Sequence, residues 1–457
     1  MSTLSAQFKS LMSLRKQATS LAVVHAVDVL QPLLILPYVG RVLGPAYFGQ
    51  YAYALSIGQF ATTVVGYGFH WTAQRAVASA REDPAMVASI FAEVFATKAI
   101  LCLAVAFAGL AASDTLLAIS KPLFLCAMLT SVGDILFPAW LFIGLERAWQ
   151  GAIAVVISRS LGLVFFLTMV TSPDQLELAV AIQAAIPLLA GVVSLPFVVH
   201  IGLAGFRSVT PSRILVQLRN GSRGFLYTFV ETTLIVLPVP LVAHFSGFAA
   251  AGQYSVAEKF VSTGRPLFRV ILETFTPRVA HHAQHDPAAG IALIWSSLWT
   301  LVAGAALSLF LFLLGPYFIV LLFGKGFSEA IPIIRTMSVI PVLTNAIICT
   351  SNLYMFNYGH ERAWAALTVL GLLTFLAVAY LLSLELSSAA IAVAIALIAR
   401  LCVVLVVSAG FFLVFGTAKS RVSPTYRVGN APGGGNLAHS TRTSPAAPVL
   451  PAPSSSP

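Results

Sequence analysis

Seven basic side chains, Lys98, Arg159, Lys259, Arg265, Arg269, Arg335 and Arg400, stand in or at the ends of long apolar runs. The acids Asp28, Glu93, Asp134, Glu231, Glu258 and Glu273 are placed in the same way. An ionised side chain at mid-bilayer costs about 2.5–3.5 kcal/mol on insertion scales, so such residues face a cavity or a partner. Their chemistry is recognition rather than bond-making. An arginine presents a planar fork that fits phosphate oxygens. A carboxylate in a low-dielectric setting holds its proton more tightly and can exchange it as access changes.

The stretch from Glu258 to Glu273 is the richest. At about 100° per residue, Glu258, Ser262, Arg265, Arg269 and Glu273 fall within an arc of about 80° on one continuous helix. Gly264 and Pro266 bracket Arg265 and predict a kink there. The stripe reads as a cavity wall on which Arg265 and Arg269 grip a phosphate. The alternative is self-neutralisation, Glu258 with Arg265 and Arg269 with Glu273. Arg159, between Ser158 and Ser160, and Lys98 are further phosphate contacts, or else are buried against an acid such as Glu93 or Asp134. Arg335 is expected near a mouth of the cavity, where it would meet a headgroup, and Arg400 reads as an anchor for its span. Asp28 and Glu231 are candidates for coupling to H⁺ or Na⁺, against the plainer reading of a structural hydrogen bond or ion pair.

Signals for other chemistry are weak. His281, His282 and His285 lie near Asp286 without an HExxH pattern or a cysteine pair, which reads as a solvated loop and no metal site. Gly324-Lys325-Gly326 lacks the earlier glycine and the Ser/Thr of a P-loop. Cys102, Cys126, Cys349 and Cys402 sit in apolar runs and read as packed thiols. No catalytic constellation, cofactor or nucleic-acid partner is expected, and the protein reads as a non-enzyme.

The elements that must position these groups follow from composition. The chain has 457 residues, of which 58% are hydrophobic and 9% charged, against about 25% charged in a typical soluble domain. That excludes a soluble fold and predicts an all-α polytopic membrane protein. The apolar runs are continuous, as in spanning helices of about 20 residues, and lack the alternation of a membrane barrel. About twelve spans are expected, near 20–40, 47–70, 86–112, 121–143, 150–170, 176–200, 224–243, 251–275, 291–314, 330–356, 363–382 and 388–415. They divide the chain into an amphipathic N-terminus (1–19), a first six-helix bundle (20–200), a linker (201–223), a second bundle (224–416) and a Pro/Gly/Ser-rich disordered tail (417–457). Trp71, Trp140 and Trp149 read as interfacial anchors.

Lysine and arginine outside the spans lie mostly on the side of the two termini. Only Arg41, Lys121 and Lys325 fall on the other. Both termini are therefore expected in the cytoplasm. The two bundles also repeat. An offset of 203 residues, Gly44 to Gly247, aligns Gly44–Ala54 with Gly247–Ala257 at six identities in eleven positions. The same offset carries Pro37 onto Pro240, Leu34 onto Leu237 and Asp28 onto Glu231. Both copies begin with a span leaving the cytoplasm, so they are parallel repeats with a site expected between them.

The stretch Leu33-Leu34-Ile35-Leu36-Pro37-Tyr38-Val39-Gly40-Arg41-Val42-Leu43-Gly44-Pro45, with Phe48-Gly49-Gln50-Tyr51 after it, resembles the N-terminal signature of bacterial polysaccharide-biosynthesis membrane proteins. These are the O-antigen and exopolysaccharide flippases of the Wzx type, in the MOP superfamily that also holds the MATE drug exporters. Gly315-Pro316, Leu321-Leu322-Phe323-Gly324 and Ala330-Ile331-Pro332 are similar to a second stretch of that family. The likeness covers roughly residues 15–415 in span count and order, and only its first motif is specific. It implies a V-shaped, MATE-like arrangement and an undecaprenyl-diphosphate-linked oligosaccharide as the partner, carried between leaflets of the bacterial inner membrane among membrane lipids. It further implies work beside a polysaccharide polymerase and chain-length proteins. The family has no strict catalytic signature to carry over, so the site residues rest on the physics above. A MATE-type cation-coupled exporter is the alternative, and it expects an acidic or aromatic cavity. A membrane glycosyltransferase would need a large polar loop or an external carboxylate cluster. A scaffold subunit would have little use for buried charge at equivalent depths.

Overall fold

The computed structural model describes residues 2–115, 117–199, 209–355 and 357–417. Among these the protein is helical, with sixteen α-helices and no strand. In the first repeat they are α1 (Ser2–Gly66), α2 (Phe69–Ser79), α3 (Pro84–Ala112), α4 (Lys121–Leu136), α5 (Ala139–Gly144), α6 (Ala148–Met169) and α7 (Leu176–Val199). The second repeat holds α8 (Pro211–Val236), α9 (Pro238–Ser262), α10 (Arg265–His285), α11 (Pro287–Ser297), α12 (Leu301–Phe323), α13 (Ala330–Met337), α14 (Ile340–Ile347), α15 (Glu361–Glu385) and α16 (Ala389–Thr417). Residues 201–208 of the expected linker and the tail from 418 onward lie outside the described residues.

Nine helical stretches among the described residues are long and apolar enough to cross a membrane. Leu103, Phe107, Val302, Leu313 and Val406 are exposed along them, as a lipid-facing surface requires. One stretch, Gly224–Ser262, has 39 residues and bends at Gly247. α1, with 65 residues, bends at Gly44. Reading each as two arms agrees with about twelve crossings. The protein is thus an all-α, multi-pass membrane protein.

The two bends show how the sequence builds the repeat. Gly44 has φ 69° and ψ 172°, and Gly247 has φ 79° and ψ 174°. That region is essentially restricted to glycine. The loops expected between the paired spans are therefore reduced to a single residue in each copy. Pro45 follows directly after the first bend, where a missing N–H costs nothing because the new helix has no partner for it. Proline has the same role at Pro84, where Asp83 caps α3 by accepting from the amides of Ala85 and Met86 at 3.0 and 3.1 Å. A further pair at the same offset, Pro138 and Pro341, marks breaks inside two more spans: α4 ends before Pro138, and α14 begins beside Pro341. Below the second break the chain runs as a π-helix, Ile348–Met355.

Within the first repeat α1 and α6 run parallel. Tyr38 Oη donates to the Val170 carbonyl at 2.8 Å, and seven residues earlier Gln31 meets Arg159. The second arm of α1 follows α4 through Thr62 and Ser131, 3.0 Å apart. Small residues allow close packing elsewhere. A methyl group at Gly133 would stand 2.5 Å from the Leu188 nitrogen of α7, and one at Gly191 2.9 Å from the Leu136 carbonyl carbon.

Two expectations change. The helix carrying Glu258 to Glu273 is not continuous: α9 ends at Ser262 and α10 starts at Arg265, with Thr263 and Gly264 between. The predicted kink is found, and because of it one stripe cannot be drawn through both helices. Trp140 is no interfacial anchor. It is buried and packs on Phe91, ring centroids 6.3 Å apart. Its indole is drawn inward where α5 folds against α2.

Candidate functional site

The charges inside the spans fall into separate clusters. Lys98 on α3 is buried and donates to Asp134 on α4, Nζ to Oδ2 at 2.8 Å and Nζ to the carbonyl at 3.2 Å. Glu93, five residues before Lys98 and so on another face of α3, is turned to α8. It accepts from Arg213 Nη1 at 2.7 Å, Gln217 Nε2 at 2.8 Å and Ser89 Oγ at 3.1 Å. Of the two acids considered for Lys98, Asp134 is thus the partner. Glu93 instead joins the first repeat to α8.

Arg159 stands at the middle of α6, a helix of 22 residues, and its Nη1 donates to Gln31 Oε1 of α1 at 2.8 Å. Lys259 pairs with its neighbour Glu258 at 3.0 Å. Arg335 on α13 is exposed, with its guanidinium 5.9 Å from the ring centroid of Phe312, a cation–π contact. Arg400 on α16 is half-buried beside Gly371 of α15. Glu231 on α8 is half-buried and has a partner. The side chains of Asp28, Arg265, Arg269 and Glu273 lie outside the described residues. The described members of the predicted set therefore do not gather into one cluster. Lys98 and Arg159 belong to the first repeat, and Arg335 to the second.

The repeats meet where the two bent helices cross, and the meeting is reciprocal. A methyl group at Gly49 would stand 2.7 Å from the Phe248 carbonyl carbon and 2.9 Å from the Gly252 nitrogen. One at Gly252 would stand 3.1 Å from the Pro45 carbonyl carbon and 3.1 Å from the Gly49 nitrogen. Gly49 with Gly252, and Pro45 with Phe248, are pairs at the repeat offset. The contact is therefore two-fold in character, backbone against backbone.

Side chains reinforce this crossing. Arg41 Nε donates to the Leu322 carbonyl at 2.7 Å, and its Nη2 donates to the Leu321 carbonyl. These are orphan carbonyls in the last turn of α12, at the negative end of its dipole. Phe48 is fully buried, edge-on to Phe323 and Phe327 at 6.1 and 5.7 Å. Tyr53 meets Phe248 at 5.5 Å. Gln253 Nε2 donates to the Gly326 carbonyl at 2.8 Å and fixes the turn after α12. The sequence alone places Arg41 in a loop after the first span. Because the loop has shrunk to Gly44, the side chain is brought onto a helix end.

At the far end of α1 a second junction involves α8. Tyr67 stacks on Phe225 with centroids 4.5 Å apart and planes at 11°. Gly68 has φ 74°, and a methyl group there would stand 2.6 Å from the Phe225 nitrogen. With Arg213 and Gln217 on Glu93, the start of α8 lies along the first repeat although the rest of its chain belongs to the second.

Known proteins agree with this architecture. Residues 14–283 match the family described as polysaccharide biosynthesis protein. A protein of Escherichia coli (strain K12) named as an O-antigen transporter is 28% identical over 378 residues, covering 80% of this chain and 89% of the relative. One of Shigella dysenteriae, named likewise, is 23% identical over 370 residues, covering 80% and 92%. Among solved structures, an inward-facing multidrug resistance MATE family transporter of the MOP superfamily superposes with a TM-score of 0.69 at 18% identity, covering 85% of this chain and 95% of that one. An outward-facing one gives 0.55 at 17% identity, covering 89% and 96%. The fold is thus that of MATE-like transporters.

Proposed function

The chain belongs to the polysaccharide biosynthesis protein family, and from that premise we propose that it is a flippase for an undecaprenyl-diphosphate-linked oligosaccharide. It carries this amphiphile from the cytoplasmic to the periplasmic leaflet of the bacterial inner membrane. The oligosaccharide and diphosphate need a polar route through the bilayer, while the lipid tail stays among the membrane lipids. Both termini are cytoplasmic, which puts the Gly44 and Gly247 bends at the periplasmic end.

The observation that carries the reading is the reciprocal crossing at Gly49 and Gly252. Two related bundles held together at one end by a two-fold contact suit alternating access. In this state the periplasmic end is closed. Rocking of the bundles 20–200 and 224–416 parts the crossing, draws Arg41 off α12 and exposes the headgroup to the periplasm. Arg265, Arg269 and Arg159 take the phosphates. Lys98 joins them by exchanging Asp134 for substrate, and Arg335 receives the headgroup at release. Asp28 and Glu231, at equivalent places in the two repeats, exchange H⁺ or Na⁺ and reset the cycle.

The test uses cells lacking their own O-antigen transporter but still making the lipid-linked glycan. The protein should restore glycan on the outer leaflet, and Arg265→Ala at equal abundance should not. If Arg265→Ala restores it normally, the phosphate role of that residue fails. If the wild-type chain restores nothing and instead exports cationic dyes, the flippase reading fails.

A further inference from the structure

Gln31 is neutral, yet its setting is unusual. It lies about 20 Å along the first arm of α1 from the Gly44 bend, opposite the midpoint of α6. It is buried, 5% exposed. Its Oε1 accepts from Arg159 at 2.8 Å, while its Nε2, with two N–H donors, has no hydrogen-bond partner. That nitrogen faces α6 at Gly162, where a methyl group would stand 4.0 Å away. A buried amide donor without an acceptor is destabilising and calls for a ligand, ion or water to complete it. The surroundings are otherwise well fixed: Tyr38 on the Val170 carbonyl locks α1 to α6 one end further on.

We infer that Gln31 and Arg159 form a phosphate seat inside the first repeat, which rests on the flippase reading and adds a residue to it. The unpaired, buried donors of Gln31 stand beside a guanidinium, so the group that completes them when the helices part is rich in acceptors and anionic. A phosphate of the lipid carrier has that chemistry. The amide serves twice. It positions the guanidinium through Oε1 without adding negative charge, and it contacts the phosphate through Nε2. A glutamate at this place could still hold Arg159 but would repel the ligand.

The test measures binding of farnesyl diphosphate to the full chain in nanodiscs of phosphatidylethanolamine, beside the melting temperature without probe. Gln31→Leu should weaken the probe by about tenfold, the loss of one hydrogen bond to a charged group. Gln31→Glu should melt like the wild type and bind at least as weakly as Gln31→Leu. Competition by inorganic diphosphate supports a seat for phosphate itself. Competition by phosphatidylglycerol alone would overturn the diphosphate assignment in favour of an ordinary lipid headgroup. Wild-type affinity in Gln31→Glu, or a lower melting temperature in Gln31→Leu with unchanged affinity, overturns the seat and leaves a packing role. A wild-type chain that binds none of these probes refutes the flippase reading itself.

Discussion

Replacing Gly49 by alanine should push the protein out of the state described here. The added methyl group would overlap the Phe248 carbonyl oxygen and stand 2.7 Å from the carbonyl carbon, whereas ordinary carbon–carbon contact is about 3.5–4.0 Å. The helices must part by more than about 1 Å, and neither can yield by a rotamer change because both sides of the contact are backbone. Overpacking of this kind costs about 1–3 kcal/mol. Applied to one of two states, that shifts their ratio by about 5- to 150-fold toward the one in which the crossing is open. The same methyl group costs nothing once the repeats have separated. Spin labels at Tyr47→Cys and Lys325→Cys, both exposed and in different repeats, read the separation by double electron–electron resonance. Gly49→Ala should move the distance distribution outward, Gly252→Ala should do the same, and the double variant should add less than the sum because both act at one contact. Gly247→Ala is the control. Nothing lies within 4 Å of its added methyl group, and its penalty of about 1–3 kcal/mol is backbone strain at φ 79°. It should lower stability instead of shifting the distances. Unchanged distributions in Gly49→Ala and Gly252→Ala, with normal abundance, would refute the crossing as the point of closure.

Arg41→Gln should loosen the same end more gently, by about 0.3–2 kcal/mol for a cation lost from a helix C-terminus, seen as a smaller outward shift in the same labels. Lys98→Met should lower the melting temperature by leaving Asp134 without its cation. Lys98→Met combined with Asp134→Leu should recover part of the loss, since a pair with one buried member is dearer to break than to replace. His360, at the start of α15, is packed among Tyr354, Phe411 and Phe415 at 5.9, 4.8 and 6.2 Å, and burial lowers its pKa below the usual 6.5. The packed ring favours the neutral form, so this contact is fully present above pH 6.5 and weakens as pH falls through and below that value. The melting-temperature difference between wild type and His360→Phe should therefore widen from pH 7 to pH 5, with the wild type falling faster.

The crossings could be read from the sequence because hydropathy over 20 residues is a strong signal. The offset of 203 residues was visible because Gly44 and Gly247 head runs with six identities in eleven positions. The bend before Arg265 was visible in Gly264 and Pro266. The loops that vanish at Gly44 and Gly247 were hidden, since hydropathy carries no information about φ. Had the repeat glycines been read as backbone positions instead of identities, the crossing of Gly49 on Gly252 would have been within reach. Arg41 was misread for the same reason: a charge beside a presumed loop is in fact a cap on a distant helix. Lys98 with Asp134 is one of the pairs that the sequence offers. Arg213 with Glu93 is not, because the start of α8 leaves its own repeat to pack on the first. Gln31 was not legible in the sequence, because the cost of burying charge does not mark a neutral amide, even one that holds an arginine.

The most direct measurement is transfer of a polyprenyl-diphosphate oligosaccharide between leaflets of liposomes containing the purified protein, followed by lectin capture at the far leaflet. Wild-type protein should speed capture well above protein-free liposomes, and Arg265→Ala at equal incorporation should fall back toward them. Equal capture with and without protein, across both H⁺ and Na⁺ gradients, would contradict a flippase.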